Sequence, residues 1–381
     1  MHTRVLRKPD GRMLSLYARQ PLDGDDHQYR APSPSNAPHA PNPHLRWHPL
    51  RAEWVAYATH RQHRTFLPPP DYNPLAVSAA GSDYPTELPD APWDVAVFEN
   101  LFPTFALTAH DPPALAVPTA AARGVCEVVV FTQDPSTSLG RLPLSHLELL
   151  IEVWGDRYTQ LGARQDVAYV FPFENRGVEI GVTLSHPRGQ IYAYPFVPPV
   201  AARSLEQERV HYERHGRTLL ADFVDREITE RVRLLYEGPE VAAFMPVCAR
   251  YSYEVWIAPR REVPSFAALT PAERQDFARA LKTVLLKFDG LWARPFPYIL
   301  AFYQAPTDSQ PHPESHLRAE FYPAYRMPGR LKYLAGSEIG AGVFTADTVP
   351  EEKVRELQAV TVDIEANDEA NAEADDEEND A

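Results

Sequence analysis

The chain has 381 residues, of which 44% are hydrophobic and 23% charged, which is typical of a globular protein with two ordinary domains or one large duplicated domain. Its formal net charge of −15 disfavours nucleic acid and anionic membranes as general partners. Two cysteines, Cys126 and Cys248, give no disulfide framework and indicate a reducing, cytoplasmic compartment. No apolar run reaches the roughly 20 residues that span a bilayer, and the N-terminus lacks the apolar core of a secretion signal.

Both ends of the chain differ in composition from the middle. Residues 1–45 include the proline-rich run PSPSNAPHAPNPH, which predicts a disordered arm with nothing to bury. Residues 351–381 run into an acidic, aromatic-free stretch, which predicts a solvated, disordered tail. The folded body is therefore expected between these two segments.

Inside that body one heptapeptide pattern occurs twice, 130 residues apart: residues 186–192 read HPRGQIY and residues 316–322 read HLRAEFY. Each copy follows a strand pattern, an amphipathic helix pattern that opens with a capping box, and a second strand pattern. The strand patterns are 126–131 and 167–171 in the first copy and 253–258 and 298–302 in the second; the capping boxes begin at Ser145 and Thr270.

The body thus reads as strand, helix, strand, strand, twice over. We expect an α+β fold with antiparallel sheets and helices packed on one face, in repeats spanning residues 46–200 and 201–350. The alternative is chance similarity between two amphipathic strands. The shared order of elements favours duplication.

The most informative segment is FENRG at residues 173–177, followed by Gly181 and by SHPRGQ at residues 185–190. It resembles the signature of the galactose-1-phosphate uridylyltransferase family: F-E-N-[RK]-G, three residues, G, four residues, then H-P-H-G-Q. Every specified position matches except the second histidine, which here is Arg188. The likeness extends over roughly residues 45–350. It implies a duplicated histidine-triad fold.

The resemblance also implies a chemistry. In the family a histidine attacks the α-phosphorus of UDP-glucose and expels glucose 1-phosphate, and galactose 1-phosphate then takes the uridylyl group. Gln190 takes the place of a glutamine that donates to the phosphoryl oxygens, and Arg188 takes the place of the nucleophile. A guanidinium stays protonated and has no free lone pair, so Arg188 predicts a phosphate clamp and no covalent intermediate at its position.

His186 has two interpretations at this stage. Residues i and i+2 of a strand share a face, so His186 could attack phosphorus while Arg188 holds the phosphate. It could equally be a structural histidine with satisfied hydrogen bonds, which the sequence favours. The second repeat shows a parallel change, because the resemblance places Arg318 where the family usually has a histidine.

Many relatives hold a structural zinc, and the matching positions here are Asn73, Ala76, Pro135 and His186. His186 is the one ligand that survives, and structural zinc needs four. Some relatives hold iron in the second repeat, at positions that match Ser204, Tyr303, Arg318 and Glu320, which form no plausible metal cluster. We therefore expect no bound metal and no other cofactor.

The resemblance also assigns substrate contacts. Arg61 and Arg64 would face phosphate oxygens, or else form part of a solvated basic patch. Asn100 would contact the uracil or ribose, unless it is a turn former. Asn175 and Thr183 would bind the nucleotide phosphates, and Gly181 would leave room for close backbone approach.

A last group of positions would reach the hexose from a partner subunit: Lys332, Tyr333, Ala335 and Glu338. This implies a homodimer with shared sites.

Three functions fit these observations. The first is a UDP-glucose–hexose-1-phosphate uridylyltransferase of galactose metabolism, which acts on UDP-glucose, UDP-galactose and hexose 1-phosphates. The second is a pseudoenzyme that keeps the nucleotide-sugar pocket without forming the covalent intermediate. The third is another nucleotidyl-transferring or hydrolysing member of the histidine-triad superfamily.

Overall fold

The structure is a computed structural model, and it describes residues 1–24, 29–63, 72–78 and 86–368. Its first half contains, in chain order, β1 (His2–Arg7), β2 (Met13–Ala18), β3 (His44–His48), β4 (Glu53–Tyr57), β5 (Val95–Glu99), β6 (Thr119–Ala121), β7 (Val125–Val130), α1 (Leu144–Gly162), β8 (Tyr169–Arg176) and β9 (Arg188–Tyr194). Its second half contains α2 (Pro199–His215), α3 (Leu219–Glu230), β10 (Leu234–Glu237), β11 (Val241–Phe244), β12 (Val255–Pro259), α4 (Pro271–Leu291), β13 (Tyr298–Tyr303), β14 (Arg318–Pro323), β15 (Tyr325–Met327), β16 (Arg330–Leu331) and α5 (Pro350–Gln358).

One eleven-stranded sheet organises the molecule, in the order β1-β2-β5-β7-β9-β8-β13-β14-β12-β11-β10. All of its strand pairs are antiparallel, and β8 of the first repeat pairs directly with β13 of the second. Five strands on each side of this junction correspond in order, and β1 is an additional strand at the edge of the first half. The predicted strand–helix–strand–strand unit therefore occurs twice, as β7-α1-β8-β9 and β12-α4-β13-β14, and the two units share one sheet.

Helices α1 and α4 pack side by side on one face of this sheet. Strand β9 alternates accordingly: Gly189, Ile191 and Ala193 are buried, and the residues between them point to the opposite face. Ile191 and Ala193 join the main hydrophobic core together with residues of both helices. The α+β prediction is confirmed, and its placement of the helices on one face holds for α1 and α4. Leu220 and Val224 of α3 pack instead with Ala242 and Phe244 of β11 on the opposite face, which also carries the polar side chains of β9.

The two predicted capping boxes have different outcomes. Thr270 caps α4 as expected, because its hydroxyl accepts from the Glu273 amide and the Glu273 carboxylate accepts from the Thr270 amide. The box at Ser145 is wrong. Helix α1 begins one residue earlier, at Leu144, and the Ser145 hydroxyl instead accepts from Arg19 at 2.8 Å.

The disordered arm predicted for residues 1–45 is a second correction. Strands β1 and β2 form a hairpin, and β2 pairs with β5 at the edge of the central sheet. Leu14 and Leu16 of β2 are fully buried, so this segment has apolar surface to bury despite its proline-rich continuation.

The disordered tail predicted for residues 351–381 needs a similar correction over its first part. Helix α5 buries Val354 and Leu357 against the core. Beyond it, Asp368 pairs with the buried ammonium of Lys282 at 2.7 Å. Residues 369–381 lie outside the described part of the chain. No helix of the described residues is long and apolar enough to cross a membrane.

Candidate functional site

Strand β9 presents three polar side chains to the face opposite the helices: Arg188, Gln190 and Tyr192. Gln190 lies opposite Val128 of β7 and Phe173 of β8. Because β8 is antiparallel to β9, Asn175 comes to the same end of the sheet as Arg188. The H-x-R-G-Q and F-E-N-R-G segments, which are separate in sequence, are therefore neighbours in space.

These side chains line a cleft with a volume of 210 Å³, which we call the smaller cleft. Its lining residues are Arg61, Phe173, Asn175, Ile180, Gly181, Val182, Thr183, Arg188, Gln190 and Tyr192. Six of the predicted site residues are thus brought together: Arg61, Asn175, Gly181, Thr183, Arg188 and Gln190. Two guanidinium groups and several amide and hydroxyl groups converge here, which is the donor set that binds phosphate.

A second cleft of 740 Å³, which we call the larger cleft, adjoins the smaller one. The two share Asn175, Val182, Thr183 and Arg188. The larger cleft continues past His186 towards the end of helix α4, where Asp289 and Arg294 complete its wall.

Arg188 is held by the chain that leads into β9. Its Nη1 donates to the carbonyl of Leu184 at 2.9 Å and to that of His186 at 3.2 Å. The guanidinium is thereby oriented by its own loop and lines both clefts. A guanidinium has five N–H donors, and these two bonds are made by Nη1 alone.

His186 precedes β9, so the two-residue alternation of the strand does not fix its direction. Its ring is 2% exposed, and both nitrogens have partners: Nε2 lies 2.8 Å from the carbonyl oxygen of Thr132, and Nδ1 lies 2.9 Å from Nδ2 of Asn73. The Asn73 amide is oriented by the backbone N–H of Leu75, which donates to its Oδ1 at 3.0 Å.

These contacts define the state of the His186 ring. The carbonyl of Thr132 can only accept, so Nε2 carries the proton, and Nδ1 accepts from the Asn73 amide. Burial lowers the pKa of His186, which favours this neutral tautomer. The lone pair of the ring is therefore engaged with Asn73, and the structural interpretation of His186 agrees with this geometry.

The second repeat builds the same arrangement around His316. Its Nε2 donates to the carbonyl of Pro259 at 3.0 Å, and its Nδ1 lies 2.9 Å from the hydroxyl of Thr218. That hydroxyl also accepts from the Ala221 amide as the N-cap of α3, so its proton points to His316. Burial lowers the pKa of His316 to about 4.

Two acidic residues near Arg188 were not predicted from the sequence. Glu174 faces the helices, where Tyr298 donates to its carboxylate at 3.0 Å, and burial raises its pKa to about 7. Asp289 of α4 holds Arg176 through two hydrogen bonds of 2.7 and 2.9 Å. Glu174 and Arg176 both belong to the FENRG motif, so their presence was visible, but their partners Tyr298 and Asp289 come from the other repeat.

Gly181 and Gly189 of the motif are required for different geometric reasons. Gly181 adopts a left-handed conformation with φ of 83°, which other residues avoid. Gly189 lies under Phe131, where an added Cβ would approach that ring to 2.9 Å. Close packing of β9 against the core therefore excludes a side chain at position 189.

The remaining predicted site residues lie elsewhere. Asn100 lines a third cleft, and its Oδ1 accepts from the Phe102 amide at 2.8 Å in a turn. Arg61 donates to the carbonyl of Phe102 at 2.6 Å, which connects that turn to the smaller cleft. Arg64 lies outside the described residues.

The four residues predicted to reach the hexose lie at or just before a helical turn at Gly336–Ala341. Lys332, Tyr333 and Ala335 precede this turn and Glu338 lies within it, and none of the four lines the smaller or the larger cleft. The Glu338 carboxylate is held by Thr345 and by the Ala335 amide, and the Thr345 hydrogen bond lowers its pKa to about 2. Tyr333 is 77% exposed.

Comparison with known proteins agrees with the motif. The model of the galactose-1-phosphate uridyl transferase N-terminal domain matches residues 34–198, and that of the C-terminal domain matches residues 205–366. The chain belongs to the galactose-1-phosphate uridylyltransferase family. Its members are nucleotidyltransferases of galactose metabolism, and by descent this chain is one of them.

Individual relatives support the same assignment. The galactose-1-phosphate uridylyltransferase of Thermotoga maritima is 36% identical over 84% of this chain and 99% of its own length. That of Streptomyces lividans is 40% identical over 64% of this chain and 65% of its own length. A solved uridylyltransferase structure superposes with a TM-score of 0.75 at 32% identity, over 83% of this chain and 98% of the other.

The residues at the family's zinc positions do not fit a zinc ion. Asn73 supplies a carboxamide whose Nδ2 points at His186, and Ala76 has no ligand atom. Among the described residues, no three histidine, cysteine or acidic side chains come together as a metal site. A hydrogen bond between Asn73 and His186 stands where the family pattern would place a metal bond.

The iron positions of the uridylyltransferase family contain an ion-pair network in this chain. Arg318 is buried, and it donates to Glu320 at 2.5 Å and to Glu208 at 3.0 Å. Its guanidinium lies 4.5 Å from the ring centre of Tyr303. A permanent organic cation is thus shared by the two carboxylates, and the donor set does not fit a metal ion.

Proposed function

We propose that the chain is a UDP-glucose–hexose-1-phosphate uridylyltransferase in which Arg188 binds phosphate and forms no bond to it. Its ligands are UDP-glucose or UDP-galactose and hexose 1-phosphates. The observation that carries the proposal is the smaller cleft, where Arg188, Gln190, Asn175 and Thr183 converge with Arg61. Such a set of charged and neutral donors stabilises a phosphoryl group in the ground state and in the transition state.

The proposal assigns a role to each of these residues. Arg188 and Arg61 neutralise the diphosphate, and Gln190, Asn175 and Thr183 donate to its oxygens. Asn100 is the proposed uracil or ribose contact. Lys332, Tyr333, Ala335 and Glu338 are proposed to act on the hexose of a partner subunit in a cytoplasmic homodimer, and the 77% exposure of Tyr333 supports this.

A second candidate function is nucleotide-sugar binding without turnover. The engagement of both His186 nitrogens favours it, because neither residue 186 nor residue 188 then offers a free lone pair to phosphorus. The two candidates share the binding site and differ only in whether UDP-galactose is formed.

The first experiment measures UDP-glucose binding by calorimetry and protein mass after incubation with UDP-glucose. We expect saturable binding and an unchanged intact mass, since neither residue 186 nor residue 188 offers a free lone pair to phosphorus. A mass increase of one uridylyl group that peptide mapping locates at position 188 would contradict the assigned role of Arg188. Absence of UDP-glucose binding would contradict both candidate functions.

The second experiment separates the candidates. The chain is incubated with UDP-glucose and galactose 1-phosphate, and UDP-galactose is quantified by chromatography. Product formed in proportion to enzyme concentration supports the transferase, and binding with no product supports the binding protein. The variant Arg188→Gln serves as the control, because it removes the charge and keeps a polar side chain.

A further inference from the structure

The smaller and larger clefts meet at Arg188, which lines both. Asn175 and Thr183 are shared in the same way. The volume of the larger cleft is 740 Å³, against 210 Å³ for the smaller one. A ligand diphosphate in the smaller cleft would therefore leave most of the larger cleft open, on the other side of the same guanidinium.

The larger cleft has a positive lining in an acidic protein. It contains four arginines, at positions 141, 176, 188 and 294, and two acidic residues, Glu174 and Asp289. Asp289 is neutralised by its two bonds to Arg176. Burial raises the pKa of Glu174 to about 7, which reduces its charge near neutrality. The chain carries a net charge of −15, so a cleft with excess positive charge is a local attractor for anions.

Groups found only in the larger cleft suit a phosphate with an attached sugar. Arg294 keeps 41% of its side chain exposed while its Nη2 donates to the Tyr325 hydroxyl at 2.9 Å and to the Glu179 carboxylate at 3.2 Å. Ser136, Thr137 and Ser138 supply hydroxyl groups. The Ser138 hydroxyl oxygen is buried and has no hydrogen-bond partner among the described residues. Hydroxyl-rich ligands satisfy such groups.

Building on the proposed function, we propose that the larger cleft binds a phosphomonoester, the acceptor hexose 1-phosphate, while the smaller cleft holds the diphosphate of the nucleotide sugar. Both anions share Arg188. The protein then forms a ternary complex, in place of a uridylylated intermediate followed by a second substrate.

The ternary complex supplies a balanced reaction. An oxygen of the acceptor phosphate forms a bond to the α-phosphorus as the bond from that phosphorus to the bridging oxygen breaks. The electron pair leaves with glucose 1-phosphate, and no proton, metal or protein nucleophile is consumed. Arg188 stabilises the charge that develops between the two phosphates.

The test uses the full chain, UDP-glucose and glucose 1-phosphate, because transfer between these two regenerates the same species. Glucose 1-phosphate is titrated by calorimetry into the chain alone and into the chain saturated with UDP-glucose. We expect one glucose 1-phosphate per chain in both cases, with Kd values that agree within about threefold. Exclusion of glucose 1-phosphate by UDP-glucose would overturn the inference and leave the proposed function intact. Failure of UDP-glucose to bind would instead overturn the proposed function.

Two matched variants distinguish the clefts. Arg294 lines only the larger cleft and Arg61 only the smaller one. Arg294→Gln is expected to weaken glucose 1-phosphate binding by about tenfold and to change the Kd of UDP-glucose by less than about threefold. Arg61→Gln is expected to weaken UDP-glucose binding by about tenfold and to change the Kd of glucose 1-phosphate by less than about threefold. Arg294→Lys should recover most of the glucose 1-phosphate affinity, because it restores the charge. An unchanged glucose 1-phosphate affinity in a folded Arg294→Gln protein would contradict the assignment.

Discussion

Position 188 contains an arginine where the family pattern has a histidine, and the surroundings are adapted to it. The carbonyls of Leu184 and His186 accept from its Nη1 and fix its orientation. Gln190, two residues on, lines the same cleft. One residue change therefore separates a phosphate clamp from an imidazole that could become uridylylated.

Arg188→His is expected to create a covalent route. We expect UDP-glucose to add one uridylyl group at position 188 and UDP-galactose formation to rise on the order of 10²-fold, since a positioned catalytic group contributes at least that much. Intact-mass analysis and a UDP-galactose assay measure the two effects. Arg188→Gln is the matched control and should show neither. A histidine variant that binds UDP-glucose yet gains no adduct would show that the neighbouring changes, such as Asn73, also block the chemistry.

Asn73→Ala tests the engagement of His186. The substitution leaves the buried Nδ1 without a donor, and an unsatisfied buried polar group costs about 1–3 kcal/mol of unfolding free energy. Urea unfolding measures this loss. Asn73→Gln, which keeps the carboxamide, is the comparison. In the unaltered protein, nitrogen NMR should find the proton on Nε2 of His186 at pH 7; a proton on Nδ1 would refute the assigned tautomer.

The sequence predicts which residues lie at the site better than it predicts their contacts. The replacement of the nucleophile by Arg188 is visible from the motif alone. The family's zinc positions place Asn73 near His186, but the hydrogen bond between them, across 113 residues, and the bond from His186 to Thr132 have no signal in the sequence. Glu174 shows the same limit, since its partner Tyr298 comes from the other repeat.

At the level of elements, the two histidines of the duplicated motif have corresponding positions. His186 and His316 both precede a strand of the sheet, and each donates through Nε2 to a carbonyl that follows or ends the neighbouring strand. In the second repeat this contact joins β14, β12 and the N-terminus of α3. The duplicated H-x-R motif therefore has a structural role that is independent of catalysis.

His316 gives stability a dependence on pH. Burial lowers the pKa of His316 in the folded state to about 4, below its ordinary value of 6.5, so the unfolded chain binds the proton more readily. The stabilisation that the fold gains from holding His316 neutral is fully present above pH 6.5. It is lost as the pH falls from 6.5 towards 4, and the free energy of unfolding decreases by at most about 3 kcal/mol. His316→Gln should flatten this part of the stability curve in urea unfolding at pH 4, 5.5 and 7. His110→Gln, at an exposed position, is the control, and an equal effect of both variants would contradict the assignment.

Elements were predicted best where local signals agree with packing. The Thr270 capping box and the proline that follows it define the start of α4. At α1 the same pattern predicts the wrong start of the helix, because Pro143 takes the N-cap position before Leu144. The Leu144 amide donates to Asp368, 224 residues away. The β1–β2 hairpin was missed because the proline-rich residues after it dominated the composition of the arm.

Residues 350–368 contribute to the stability of the whole fold. Helix α5 buries Val354 and Leu357, and the chain after it places the Val360 carbonyl 2.7 Å from the Lys287 ammonium and Asp368 2.7 Å from the Lys282 ammonium. Lys282 is fully buried, so its charge relies on that carboxylate.

Truncation after residue 349 is expected to lower the free energy of unfolding by at least roughly 3–6 kcal/mol, the value of two buried aliphatic side chains, because it also removes the carboxylate that pairs with the buried Lys282 ammonium. Urea unfolding measures the change. Truncation after Asp368 is the control, because it retains every contact named above. A loss below about 1 kcal/mol in the shorter protein would show that α5 contributes little to the folded state.

The central pairing of β8 with β13 has a consequence for how this protein can be divided. Asn175 faces Ile299, and Arg176 faces Tyr298, across that junction. Strand β8, which carries part of the wall of both clefts, is thus hydrogen-bonded to β13 of the second half of the chain. Expressed alone, the first half would display a bare strand edge directly beside its ligand groove, open to aggregation. Division of the chain between the repeats would therefore remove the support of the proposed phosphate site, although every residue that lines this site belongs to the first half.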